Sequence, residues 1–137
     1  MKLIQLKRYL ILLITAVILV PFLTGCVGSS EEKIADLEFT VASKSEIPKA
    51  LERIIDEKKK DPFKLTYSNN GNLYIVVGYG EMETGGMNIQ VPELYKTQSS
   101  IEAKTELVGP TGEEAKRKSY PYIVIKTEDL GLPVVFE

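Results

Sequence analysis

Hydrophobic positions along the chain recur first at the spacing of a helix and then, after Pro62, at the spacing of strands. "DLEFTVA", residues 36–42, alternates over a short stretch and predicts a first strand. In "SEIPKALERIIDEKKK" the residues Ile47, Leu51, Ile54 and Ile55 fall at i, i+4, i+7 and i+8, on one face of a helix. Ser45 can cap that helix, Pro48 is tolerated in its first turn, and Lys58, Lys59 and Lys60 suit its negative C-terminal end. "FKLTY", 63–67, alternates and runs towards Asn70-Gly71, a hairpin signal. "NLYIVVGYG", 72–80, has the continuous apolar run of a strand covered on both faces. After a glycine-bearing interval "MNIQV", 87–91, returns as a strand, and "SIEAKTELVG" sets Ile101, Ala103, Thr105 and Leu107 on one face. "YPYIVIKT" and "LPVVF" complete the series, the last entered through Pro133 as an edge strand can be. The pattern predicts an α+β, mostly β fold: one amphipathic helix packed on an antiparallel sheet of about six to seven strands.

The first residues follow another pattern. Lys2, Lys7 and Arg8 precede "YLILLITAVILVPFL", which has no charge from Tyr9 to Leu23, the layout of a secretion signal. A run of that length also suits a membrane span. It is followed, however, by "LTGC", Leu23 to Cys26, which resembles the lipobox of bacterial lipoproteins, where the Cys becomes the lipidated first residue. The resemblance implies cleavage before Cys26 and a membrane anchor made of lipid on that residue. It also implies an extracytoplasmic location, at the cell membrane or at an outer membrane where two membranes exist. Val27 is not the Asp that would favour inner-membrane retention in such lipoproteins.

Removal of residues 1–25 leaves 112 of 137 residues, the size of one domain. Lys2, Lys7 and Arg8 leave with them, so 14 basic residues face 19 acidic ones, a net charge of −5. An acidic module without a basic stripe is a poor nucleic-acid binder and gains nothing from anionic head groups. Cys26 is the only cysteine, which excludes a disulfide within the chain, and a thiol consumed by lipid is no nucleophile. The chain has no histidine, so both the commonest general base and the commonest metal ligand are missing. We expect no catalytic residue, no metal and no cofactor. The single S-x-x-K, Ser30 to Lys33, lacks the S-D-N and K-T-G elements of penicillin-binding enzymes and reads as part of a flexible tether.

The interval "GYGEMETGGMNI", Gly78 to Ile89, is the remaining candidate site. As G-x-G-x-x-G it has Glu83 at the third glycine, and as a P-loop it has Gly86 and Met87 where Lys and Ser/Thr belong. Glu81 and Glu83 would repel a phosphate, so a nucleotide is not expected. As a carboxylate pair for glycoside hydrolysis they lack an aromatic cleft, the chain having no Trp. A two-residue connection would suffice for a hairpin. The longer loop, with Gly85-Gly86 allowing φ > 0 or close backbone approach, therefore suggests binding as much as turning.

Together, "LYIVVGYGEMETGGMNIQV" (73–91), "ELVGP" and "SYPYIVIKTEDLGLPVVF" (119–136) resemble the PrcB C-terminal domain of protease complex subunits. In that family a strand leads into G-E/x-x-P/x-T-G-G-Y-x-I and a Y-P-Y/F-x-V-I strand follows later. Gly80, Thr84, Gly85, Gly86 and Ile89 match, while Glu83 stands where Pro is usual and Met87 where Tyr is usual. The resemblance implies a noncatalytic, extracytoplasmic partner that helps a surface protease assemble or remain stable. On this reading residues 1–25 are a lipoprotein signal peptide, 26–35 a flexible tether and 36–137 the PrcB C-terminal-like domain. Its binding loop would comprise Gly80, Glu81, Glu83, Thr84, Gly85 and Gly86, meeting a protein or extended peptide and selecting a basic one by charge. Two alternatives stand beside it. One is a structural envelope lipoprotein in which the glycines only make a turn. The other is an inhibitor, because the T-G-G stretch also resembles the wedge loop of chagasin-like cysteine-protease inhibitors.

Overall fold

The computed structural model describes residues 1–9, 31–110 and 116–137. The apolar run from residue 10 and the "LTGC" stretch with Cys26 lie outside the described residues. Residues 2–9 are helical, and among the described residues no helix is long and apolar enough to cross a membrane. Glu31–Glu137 form one compact unit.

Its described residues are mostly β, with one long helix, α1 (Lys49–Lys58), and eight strands. They are β1 (Ala35–Asp36), β2 (Thr40–Val41), β3 (Pro62–Asn69), β4 (Asn72–Tyr79), β5 (Asn88–Lys96), β6 (Ile101–Val108), β7 (Tyr122–Glu128) and β8 (Val134–Phe136). The expected class holds, but the strands make two four-stranded sheets rather than one, ordered β1-β5-β6-β8 and β2-β7-β4-β3. Nor is the pairing antiparallel throughout, because β6 and β8 run parallel. Alternation shows which positions of a strand are buried but not which strand lies beside it, so one sheet and two packed sheets give the same pattern.

Strand β4 explains the layering. Leu73, Ile75 and Val77 face a cluster with Leu94, Ile101, Ala103, Ile123 and Ile125, contributed by both sheets. Tyr74 and Val76 face the opposite way, against Ile47, Leu51 and Ile55 of the helical segment and Val124. The continuous apolar run of this strand is thus covered on both faces, in a helix–sheet–sheet arrangement. Its hairpin with β3 closes through Asn70 (φ 50°) and Gly71 (φ 76°), the two left-handed residues of a type I′ turn.

Helix α1 buries Leu51 and Ile55 fully and Ile54 in part. Its start differs from the expected Ser45 cap. Ile47 precedes a proline and is pushed to an extended conformation (φ −77°, ψ 126°), which stops any helix short of Pro48. Pro48 itself occupies the N-cap position. Ser45 belongs to a separate 3₁₀ turn, Lys44–Glu46, in which the Glu46 carboxylate accepts hydrogen bonds from Ser43 N–H (2.8 Å) and Ser43 Oγ (2.7 Å).

The expected first strand, 36–42, is two pieces in different sheets: β1 pairs with β5 and β2 with β7. Between them the chain crosses the side of the sandwich, held by Thr127 Oγ1 donating to the carbonyl of Glu38 (2.8 Å). Of the expected tether, 26–35, only the part from Glu31 lies within the described residues. From Glu31 onward the chain is bonded to the domain, through Glu31 to Thr97 and Ser99 and through Ile34 N–H to the carbonyl of Lys96. Strand β5 pairs with β1 only at Tyr95 and Lys96, and a register shift between Gln90 and Glu93 brackets Pro92, which has no N–H to pair.

Candidate functional site

Residues 80–87 connect β4 in one sheet to β5 in the other. Their length therefore has a structural cause, since the strands they join are not neighbours and no two-residue turn could link them. Gly80 has φ +78°, and a Cβ there would come within 2.9 Å of Pro62 Cδ and 3.0 Å of Pro62 N. Gly86 has φ +77°, with Pro110 Cβ 3.2 Å from where its Cβ would stand. At both positions only glycine fits the backbone without strain, and the close approach is made by this chain's own prolines. Gly85 is buried, whereas Glu81, Glu83 and Gly86 are exposed and Thr84 is half-buried.

The loop is clamped by the segment that leads into β7. Met82 and Ser119 exchange main-chain hydrogen bonds, Met82 N–H to Ser119 O at 2.8 Å and Ser119 N–H to Met82 O at 2.9 Å. Ser119 Oγ donates to the carbonyl of Thr84 (2.6 Å). Glu81 N–H donates to the carbonyl of Lys60 (3.0 Å). The Glu81 carboxylate accepts from Lys118 Nζ (2.6 Å) and from Tyr120 OH (3.0 Å). These two bonds, that of Lys118 foremost, hold the Glu81 carboxyl below its ordinary range. The same contacts raise Lys118 and Tyr120 above theirs. Lys59 Nζ adds to the group, 6.0 Å from the centroid of the Tyr120 ring.

Of the residues read from the sequence as a binding loop, Glu81 is thus already engaged by a lysine, and Gly80 and Gly86 are set by backbone geometry. Glu83 presents its carboxylate outward near Lys118, whose charge it favours. Lys118, Ser119, Tyr120 and Pro110 complete the site and were not read from the sequence. They lie dozens of residues away, and only the fold brings them to the loop.

Where the loop turns into β5 a groove of about 330 Å³ with a mixed polar and apolar lining opens, formed by Val41, Met87, Asn88, Ile89, Pro121, Tyr122 and Ile123. It lies where β2 stops pairing. Ala42 N–H takes the carbonyl of Val124, so by alternation the main-chain groups of Tyr122 point to the same uncovered side of β7. Val41 at its margin is 57% exposed. Among the described residues no three of His, Cys, Asp and Glu gather as a metal site.

The segment from β4 through β7, which holds the loop, its clamp and most of the groove, is also the part of the chain that resembles a known family. Residues 73–128 match the family model PrcB C-terminal. Over that segment, 56 of its 137 residues, the chain is similar to the PrcB C-terminal family. Strand β3, helix α1 and β8 lie outside the matched span. No curated protein and no solved structure matches the chain.

Proposed function

We propose that this protein is an extracytoplasmic lipoprotein, anchored to the bacterial membrane by lipid on Cys26, whose PrcB C-terminal domain binds a protein or extended peptide without catalysis. Its partner on this reading is a secreted or surface protease, to which the domain is an accessory subunit. The observation that carries the binding role is the groove beside the clamped loop, where the exposed apolar Val41 and the open polar edge of β7 meet. An extended segment could lay apolar side chains in the groove and hydrogen-bond to Tyr122. Glu83 at the loop favours a basic residue in that segment. The anchor follows from the "LTGC" stretch after the apolar run, and ~0.8 kcal/mol per buried methylene makes a multiply acylated Cys a stable attachment.

A second reading, a structural envelope lipoprotein, is favoured by one observation. The loop's length and its left-handed glycines are accounted for by the crossing between sheets alone. Substitutions at Val41 and Glu83 separate the two readings because neither touches the loop backbone. In membranes of the native cell, photo-crosslinking from position 88 should capture a defined partner, lost in Val41→Asp/Glu83→Lys while the melting temperature stays unchanged. Equal capture by both forms would remove the groove from the account. Metabolic labelling with a fatty-acid analogue that is abolished by Cys26→Ala tests the anchor separately.

A further inference from the structure

The two sheets have four edge strands, and three are blunted by shortness. β1 and β2 have two residues each, and β8 has three, directly behind Pro133. β3 is the exception, with eight residues, Pro62 to Asn69, in an unbroken register against β4. A long, regular, unpaired edge is a template for another strand, and proteins ordinarily break it with a bulge, a proline or an outward lysine. Pro62 stands only at its first residue. Lys64 does not guard the edge, because its Nζ lies 5.6 Å from the ring centroid of Phe136, drawn towards β8 of the other sheet.

The hairpin fixes which main-chain groups of β3 are unspent. A two-residue type I′ turn makes Asn69 and Asn72 a hydrogen-bonded pair, and alternation then directs Tyr67, Leu65 and Phe63 to β4. Ser68, Thr66 and Lys64 turn their N–H and C=O groups outward. No backbone partner for these groups occurs among the described residues. The side chains of the same three residues are exposed, while Phe63, Leu65 and Tyr67 are half-buried on the helix side.

We propose that β3 pairs antiparallel with β3 of a second copy about a dyad at Thr66, forming a homodimer through a continuous sheet. In this register Thr66 faces Thr66 of the other copy and Lys64 faces Ser68. All the outward groups then find partners, in roughly six hydrogen bonds. On the helix face Leu65 comes opposite Tyr67, an aliphatic–aromatic cross-strand pair made twice by the symmetry. Lys64 is the only charged residue of the strand, so no like charges face each other and the acidic surplus of the chain is not concentrated at the seam. A dyad at Leu65 fits less well, because it sets Pro62, which has no N–H, opposite Ser68. The self-complementary register is what favours a second copy over an unrelated strand.

The full chain, purified from membranes in detergent, tests this. Thr66→Cys should give a disulfide-linked dimer under mild oxidation, since a hydrogen-bonded pair sets Cα atoms about 5.5 Å apart. Ser68→Cys should not, its counterpart being displaced by roughly 13 Å along the strand. The unsubstituted chain, with Cys26 alone, sets the background. In sedimentation the unsubstituted protein should show a concentration-dependent dimer, and Thr66→Lys, which puts two lysines across the dyad at an exposed position, should weaken it at least tenfold. A monomer at all concentrations would overturn the proposal. So would crosslinking through Ser68 in preference to Thr66, or a dimer unaffected by Thr66→Lys.

Discussion

At the scale of single residues, the glycines of the 80–87 loop differ in what they do, and substitution can show it. Gly80 combines a left-handed backbone with the Pro62 backbone nitrogen 3.0 Å from a would-be Cβ, so Gly80→Ala carries both a conformational and a steric cost. Gly131, at φ +67° with nothing within 4 Å, carries only the first. Urea unfolding should therefore show Gly80→Ala losing about 2–3 kcal/mol and Gly131→Ala about 1 kcal/mol. Equal losses would mean that the chain relaxes away from Pro62. Glu81 makes a prediction in pH. Its folded carboxyl is held low by Lys118 and Tyr120, so its contribution is present above the unfolded value, near 4.5, and is lost as pH falls through the folded value. The melting temperature of Glu81→Gln should accordingly lie below that of the unsubstituted protein at pH 7, and the gap should narrow as the pH is taken below 4.5. A gap that stays constant to pH 3 would assign the difference to something other than charge.

Among the elements, those built from neighbouring residues were legible in the sequence and those built from distant ones were not. Asn70-Gly71 announced the β3–β4 hairpin, and Leu51 and Ile55 announced the buried face of α1, because each signal is local. The division into two sheets depends on which distant strand β5 joins, and nothing in "MNIQV" says that it pairs with β6 and leaves β4 behind. The loop itself is legible as glycine-bearing, but its length, which looks like surplus over a hairpin, is the distance between sheets. Its clamp by Lys118, Ser119 and Tyr120 was illegible for the same reason. The helix gives this scale its prediction. Leu51 is 0% exposed between the sheet residues Tyr74, Val76 and Val124, so Leu51→Ala should cost about 2–5 kcal/mol, the range for a buried cavity that closes only in part. Ile54, on the margin of the same face, should cost less than half of that in the same urea titration. Similar losses would mean that the helix packs on a broader face than its burial indicates.

The whole folded unit has two ends, and the chain enters it at the end away from the loop. Glu31, its first residue, is received by the β5–β6 turn: Thr97 Oγ1 donates to its carboxylate at 2.6 Å and Ser99 Oγ at 2.7 Å, with Ser99 N–H at 3.2 Å. Thr97 is itself buried and accepts from Ser100 N–H, so the receptor is ordered before the carboxylate arrives. Strand β5 then separates this turn from the 80–87 loop by nine residues, about 30 Å at the rise of a strand. A module held by its N-terminal side would thus present loop and groove at its free end. The bonds of Glu31 are exposed and contribute little to global stability, but they decide whether residues 31–36 stay docked along β5. In Glu31→Ala the amides of Ile34 and Leu37, which donate to Lys96 and Leu94, should exchange hydrogen at least several-fold faster, while those of β4 and β7 keep their rates. Protease should also cut earlier within 31–36. Unchanged exchange at Ile34 would show that β1 pairing alone holds the entry segment, and accelerated exchange throughout β5 would show that the carboxylate supports the sheet as well.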